Sequence, residues 1–186
     1  TGPARETLGG FWDKYLSDVD FNGTQIEPFI REALTMALVF GRVHAITDMP
    51  RGDESVVTLA DQLDKGIRPY SYLIYPFDLI NWNLDERGQF NWIIIREDIK
   101  DERKPGEDFG DVKDQFRIWD RQGWQLYKST KNNRFDLVDG GTHNLGIVPI
   151  STIYAHRGNR NLLGCESPLA DLVDLDRSIF NKLSLL

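Results

Sequence analysis

The chain has 186 residues, and its 22 Lys and Arg against 29 Asp and Glu give a formal net charge of −7. With 40% hydrophobic residues, this composition is typical of one folded domain rather than a disordered chain. The single cysteine excludes an intramolecular disulfide framework and a cysteine-based zinc site. The acidic balance argues against a surface that clamps nucleic-acid phosphates. No apolar run approaches the roughly 18 residues of a membrane span, and no signal peptide is recognised.

Two amphipathic helices are predicted at the start of the chain. The first has apolar side chains at helical spacing from Leu8 to Leu16, and the second carries a stripe from Ile26 to Leu38. A capping box of Thr24 and Glu27 is predicted to begin the second helix, and Gly41 to end it. Downstream of it we expect a strand over residues 42–48, a turn at 50–53 and a short helix at 55–65.

From Arg68 onwards the pattern is typical of antiparallel β structure. Strands are predicted over residues 70–75, 89–96, 114–119, 124–128, 134–138 and 147–155. Residues 77–82 are predicted to form either a turn of helix or a bend that leads into a strand. Loops at 85–88 and 120–123 are predicted to close hairpins, and Gly140-Gly141 to break the chain.

The last predicted element is a helix over about residues 167–186. Ser167 is a good N-cap, Pro168 suits the first helical position, and apolar residues follow at helical spacing to Leu186. Because the chain begins at Thr1 and this stripe ends without a cap, we expect a fragment of a longer protein. The fold class predicted is α+β, as one domain with a helical part over about 1–66, a β-rich part over about 67–156 and this helix.

The segment Asp18-Val19-Asp20-Phe21-Asn22-Gly23 matches the start of an EF-hand calcium loop. The twelfth position of such a loop needs a bidentate Glu, but it is Phe29 here, and Glu27 comes two residues too early. We therefore interpret the segment as a connection between two helices, and no metal or cofactor is predicted.

Nucleophilic and zinc chemistry find little support in the sequence. His44, His143 and His156 form no metal-ligand spacing, and they are interpreted as structural or surface residues. Cys165 lies just before a predicted helix, where a thiol can become reactive, but a neutral loop residue is the default interpretation. The sequence contains no nucleophile elbow, Walker loop or dinucleotide-binding glycine pattern.

Carboxylates are abundant, but their pattern is that of solvated faces. One group lies in the charged segment 96–111, and the other is Asp171, Asp174 and Asp176 on the last predicted helix. A glycosidase would need two carboxylates in an aromatic-lined cleft. Trp82, Trp92, Trp119 and Trp124 are available to line one, although Trp residues in strands are more often core or cross-strand pairs.

Several short sequence motifs, taken in chain order, form one pattern. They are Gly23 with the helix 24–40, Gly41-Arg42-Val43 with a strand ending Asp48-Met49-Pro50, Arg68-Pro69-Tyr70, Tyr75-Pro76, Ile80-Asn81-Trp82, Phe116-Arg117-Ile118-Trp119-Asp120, Trp124-Gln125-Leu126-Tyr127, Asn144-Leu145-Gly146-Ile147-Val148-Pro149-Ile150, and the helix 169–184. Their order resembles that of the wing region of tailed-bacteriophage portal proteins.

This resemblance implies a structural subunit and no enzyme. Portal proteins form a homo-oligomeric ring, usually dodecameric, at one capsid vertex of the virion, assembled in the host bacterial cytoplasm. DNA passes through the channel without sequence-specific binding, and terminase and connector proteins dock on regions outside this segment. The expected partners are therefore further copies of this chain and capsid protein, and no membrane association is expected.

Trp119 and Trp124 are candidate contacts between subunits if they are exposed, but for either one of them burial in the core is the favoured interpretation. Two other functions remain open on the sequence alone. One is a hydrolase-type enzyme with a carboxylate site, and the other is a small ligand-binding adaptor module with a deep apolar pocket.

Overall fold

The computed structural model of the protein describes residues 3–50, 66–97, 115–129, 134–156 and 163–184. The predicted helix at 55–65 and most of the turn at 50–53 lie outside these residues. The helices are α1 (Pro3–Ser17), α2 (Ile26–Phe40) and α3 (Ala170–Leu183). The strands are β1 (Arg42–Asp48), β2 (Tyr70–Ile74), β3 (Leu79–Leu84), β4 (Phe90–Glu97), β5 (Gln115–Asp120), β6 (Gly123–Ser129), β7 (Phe135–Thr142) and β8 (Ile150–Tyr154). The predicted α+β class is confirmed.

The chain forms two compact units, and one of them is built from two segments that are not consecutive in the sequence. One unit, called the helical unit below, comprises Thr1–Tyr75 and Ile150–Leu186. The other, the meander unit, is the intervening segment Pro76–Pro149. Strand β8 therefore returns to the unit that contains the first two helices.

The helical unit has a three-stranded antiparallel sheet in the order β2-β1-β8. In its centre β1 pairs His44 with Ile74 of β2 on one side and with Thr152 of β8 on the other. Helix α2 packs on β1 and β8, and its small residues Ala33 and Ala37 allow a close approach to Val43. This contact forms one buried apolar cluster of the unit.

Helix α2 begins one residue later than the predicted capping box requires. Its N-cap is Gln25, which makes no side-chain capping bond, so the prediction of Thr24 as cap is wrong. The reason is Pro28, which has no N–H to donate to the carbonyl of Thr24. The first intrahelical bond instead runs from the N–H of Phe29 to the carbonyl of Gln25, at 3.1 Å.

The predicted end of α2 at Gly41 is confirmed, and two constraints require glycine there. Its φ is +82°, in the left-handed region that disfavours a side chain. A Cβ at this position would also lie 2.1 Å from the carbonyl oxygen of Cys165. The turn from α2 into β1 is therefore packed tightly against the segment that leads to α3.

The meander unit is one antiparallel sheet in the order β3-β4-β5-β6-β7. Both predicted hairpins, at 85–88 and around 121–122, are present. Alternate positions on neighbouring strands share a face, and one face holds the buried residues. These residues are Leu79, Ile93, Ile95 and Trp119.

The prediction that Gly140 and Gly141 break the chain is wrong, because β7 continues through them to Thr142. The two glycines pair with Gln125 and Trp124 of β6. A Cβ on Gly140 would lie 3.1 Å from the carbonyl oxygen of Trp124. The glycines therefore permit a close approach of two strands beside a bulky side chain, and do not end a strand.

Strand β8 and helix α3 both begin later than predicted. The backbone over residues 147–149 is not in the sheet, and β8 begins at Ile150, directly after Pro149. Helix α3 begins at Ala170, with Leu169 as its N-cap residue. The predictions of Ser167 as N-cap and Pro168 as first helical residue are therefore wrong, because both precede the N-cap. The hydroxyl of Ser167 instead accepts a hydrogen bond from the N–H of Leu169, at 3.0 Å, in the turn before the helix.

Candidate functional site

The most unusual feature of the helical unit is the apolar face of α3. None of the residues from Ala170 to Leu183 is buried. The apolar side chains on and just before this helix are between 41% and 69% exposed, namely Leu169, Leu172, Val173, Leu175, Ile179, Phe180 and Leu183. An exposed apolar patch of this size typically marks an interaction surface. We call these seven residues the α3 face.

The start of α3 is nevertheless held firmly to the unit. The hydroxyl of Ser167 donates to the carbonyl of Leu38, at 2.6 Å, and Leu163 is only 4% exposed. The carbonyl of Cys165 lies over Gly41, as described above. The helix is thus fixed at its base while its apolar face remains uncovered.

Helix α2 exposes a second apolar surface beside its buried one. Phe29, Ala33 and Ala37 are buried, whereas the larger Ile30, Leu34 and Leu38 are 45% to 52% exposed. The exposed set repeats every fourth residue and so forms one line along the helix. We call Ile30, Leu34 and Leu38 the α2 stripe. The sequence signal was present, since the apolar arc of α2 is wider than one packing face, but the sequence does not show which side is covered.

The two predicted contact tryptophans have different environments. Trp119 is wrong as a candidate contact, because it is 2% exposed on the buried face of the meander sheet. Trp124, directly opposite on β6, is half-buried with its ring centroid 6.2 Å from that of Trp119. A role of Trp124 in subunit contacts stays a prediction, while Trp119 offers no surface to a partner.

An ion pair lies beside Trp124 on the same face of the sheet. The guanidinium of Arg117 lies 4.4 Å from the centroid of the Trp124 ring. The same guanidinium donates to both carboxylate oxygens of Glu97, and Gln115 donates to Glu97 as well. This network ties β4, β5 and β6 together, so its carboxylate has a structural role.

The carboxylates of the EF-hand-like segment are also engaged by the protein itself. Asp18 accepts a hydrogen bond from the N–H of Gly23 and pairs with Arg68, whose Nη2 lies 2.6 Å from its Oδ2. Asp20 accepts the N–H groups of Asn22 and Thr24, which keep the pKa of its carboxyl below the usual value although burial alone would raise it. The segment is a connection between α1 and α2 whose carboxylates accept hydrogen bonds from its own backbone, as interpreted from the sequence.

Arg68, two residues before β2, organises this connection. Its side chain is 9% exposed and its guanidinium lies 4.2 Å from the centroid of the Phe21 ring. The N–H of Ser71 donates to the carbonyl of Val19, so the connection also runs beside the start of β2. Sequence reasoning named Arg68 only as part of a motif and missed its pairing with Asp18, because the two residues lie far apart along the chain.

The three histidines lie in different elements. His44 is fully buried, and its Nδ1 lies 2.9 Å from the hydroxyl of Thr152. Burial, and secondarily the charge of Arg42, lowers the pKa of His44 to about 4, so the ring is neutral at pH 7. The ring of His143 packs beside Trp119, with centroids 5.9 Å apart, and His156 is exposed after β8.

Cys165 and the hairpin carboxylates complete the set of candidates. The thiol of Cys165 donates to the carbonyl of His156, at 3.3 Å. Asp85 accepts the N–H groups of Gln89 and Arg87 and a bond from Arg121 Nη2, and these bonds lower the pKa of its carboxyl. A depression of about 380 Å³ beside it is lined by the charged and polar side chains of Asp85, Glu86, Arg87, Gln89 and Arg121. Its lining differs from the apolar pocket that a ligand-binding module would show.

No group of three or more His, Cys, Asp or Glu side chains in the described ranges converges as a metal site. No helix in this part of the chain is long and apolar enough to cross a membrane. The sequence matches no protein-family model, and a search of curated proteins finds no match. The resemblance to portal proteins therefore rests on the sequence motifs alone.

Proposed function

We propose that this chain is a structural module of a portal ring of a tailed bacteriophage, drawn from the wing region, and that it works by contacts with other copies and with capsid protein. In that role it makes and breaks no covalent bond. Its place of action is the portal vertex of the virion, where the ring admits DNA during packaging and releases it later.

The α3 face is the single observation that carries this proposal. Seven exposed apolar side chains on and just before one helix are costly in water, at about 25 cal/mol for each Å² of apolar surface. Such a face is typical of a chain whose helix packs against another chain. The polar groups described above favour the same class, because Asp18, Glu97 and Asp85 are engaged by neighbouring backbone or arginine groups.

The charge of the chain is compatible with the passage of DNA. A protein that neutralises several phosphates gains affinity for each one and would hold DNA back. A net charge of −7 disfavours broad contacts of this segment with phosphates. This argument is secondary, since acidic charge also serves solubility.

Electron microscopy of the product of the complete gene tests the proposal. The expected result is a closed ring with a central channel. A monomer with a deep, polar-lined cleft would contradict it and would favour the hydrolase-type alternative.

A further inference from the structure

The α3 face contains one charged residue at its centre. Asp176 is exposed and lies one helical turn from four of the apolar residues, Leu172 and Val173 before it and Ile179 and Phe180 after it. Any surface that covers this face must also cover the carboxylate. A buried carboxylate needs a cation or hydrogen-bond donor, since otherwise its desolvation opposes binding.

This central charge argues against symmetric pairing of two α3 helices. Asp176 lies near the midpoint of α3, so two such helices packed face to face would bring their two Asp176 side chains together in either orientation. Like charges in a desolvated contact are repulsive. The partner of the α3 face is therefore a different surface.

The polar side of α3 argues against a lipid surface. It carries Asp171 and Asp174 together with Arg177 and Lys182, so its charges nearly balance. Helices that lie on anionic membranes have polar faces rich in Lys and Arg. The composition therefore fits a protein partner.

The α2 stripe of another copy has the complementary features. Ile30, Leu34 and Leu38 cover about 12 Å of helix, which equals the distance from Leu172 to Phe180 along α3. Arg31 lies on the same side of α2 as Leu34 and Leu38, at three and seven residues' distance. Its side chain is 76% exposed and reaches Glu27 only at 3.7 Å, so little is lost when it turns to a new partner.

We infer that the α3 face of one copy packs on the α2 stripe of the next copy, with Asp176 paired to Arg31. The contact is head-to-tail, because each copy offers both surfaces, and contacts of this kind generate rings or filaments. This inference rests on the proposed function in so far as copies of the chain assemble with each other, and it assigns the surfaces.

Charge reversal in two separate chains tests the inference. The measurement is molar mass by light scattering against protein concentration, for wild type, D176R, R31E, their equimolar mixture and the double variant. We expect each single variant to weaken self-association at least about tenfold, because like charges would meet in the contact. The mixture should associate nearly as well as wild type, since every contact between unlike chains pairs opposite charges.

The control is D174R, which makes the same charge change on the polar side of α3 and should associate like wild type. Thermal melts of each variant establish that it is folded. If the double variant regains wild-type association and the mixture does not, α3 packs on α2 of its own chain and the inference is wrong. Association that is indifferent to D176R and R31E also contradicts the inference but leaves the proposed function standing. A wild-type chain that is monomeric at every concentration contradicts the proposed function itself.

Discussion

At the scale of single residues, the polar side chains mostly stabilise the fold. The sequence around Asp18 is compatible with a calcium loop or with a connection between helices. Phe29 stands where a calcium loop needs Glu, and this favours the connection. The partner that settles the geometry, Arg68, could not be predicted, because no local pattern links positions that far apart. The same holds for Glu97 with Arg117. Their residue types were visible, but their pairing depends on strand register.

The ion pair of Arg68 with Asp18 yields a prediction about stability. We expect Arg68→Gln to lower the free energy of unfolding by about 2 kcal/mol, because it leaves a half-buried carboxylate without its cation. The estimate is below that for a fully buried pair, since the Asp18 side chain is 30% exposed. Urea unfolding measures the change.

The matched control is Arg177→Gln, which removes an arginine that is 72% exposed and 4.0 Å from Asp174. It should change the free energy of unfolding by less than about 0.5 kcal/mol. Equal losses in the two variants would show that the connection does not depend on Arg68.

His44 makes stability depend on pH. Its pKa is about 4 in the folded chain and about 6.5 in the unfolded chain, so the unfolded chain binds the proton more readily. The stability associated with the neutral ring is complete above pH 6.5 and is lost as the pH falls towards 4. Between pH 7 and pH 5 the free energy of unfolding should fall by about 2 kcal/mol.

Replacement of the ring separates this effect from that of other groups. His44→Gln should remove most of the pH dependence between pH 7 and 5, whatever its stability at pH 7. His156→Gln, at an exposed position, should keep the slope. If His44→Gln retains the wild-type slope, the buried histidine is not its source.

At the scale of elements, periodicity predicted most helices and strands because it reflects local geometry. Strand β1 and the two predicted hairpins of the meander lie where the sequence places them. The predicted boundaries are wrong where a single residue changes the hydrogen bonding or the packing of its neighbours. Pro28 moves the start of α2, and Gly141 lies within a strand, opposite Trp124 of β6. The pairing of β1 with β8 joins distant segments and leaves no local signal.

Gly41 provides a test of the tight turn between α2 and β1. We expect Gly41→Ala to cost about 3 kcal/mol or more, because the new Cβ would overlap the carbonyl of Cys165 in addition to the strain of a positive φ. Gly146→Ala is the control, since its φ is +69° but no atom lies within 4 Å of the new Cβ. It should cost only about 1 kcal/mol. Similar losses, measured by denaturant unfolding, would contradict the close contact with Cys165.

At the scale of the whole molecule, the sequence predicted the α+β class but not the division into two units. A parallel sheet requires helices and strands that alternate along the chain, and the sequence instead predicts helices followed by a run of strands. The return of β8 to the helical unit is not visible, since it depends on a pairing across the whole meander. The apolar spacing of α3 predicted a helix, but only the structure shows that its apolar face is uncovered.

The central claim is that the chain works through surfaces that it presents to other copies, and the mass of the assembled protein tests it most directly. The change is Leu172→Gln with Phe180→Gln on the α3 face, and the control is Ser178→Gln with Asn181→Gln on the opposite side of α3. Because all four positions are exposed, the free energy of unfolding of the monomer should change little in either variant. Sedimentation equilibrium should show oligomers for wild type and control and monomers for the α3-face variant, whereas equal masses for all three proteins would contradict the claim.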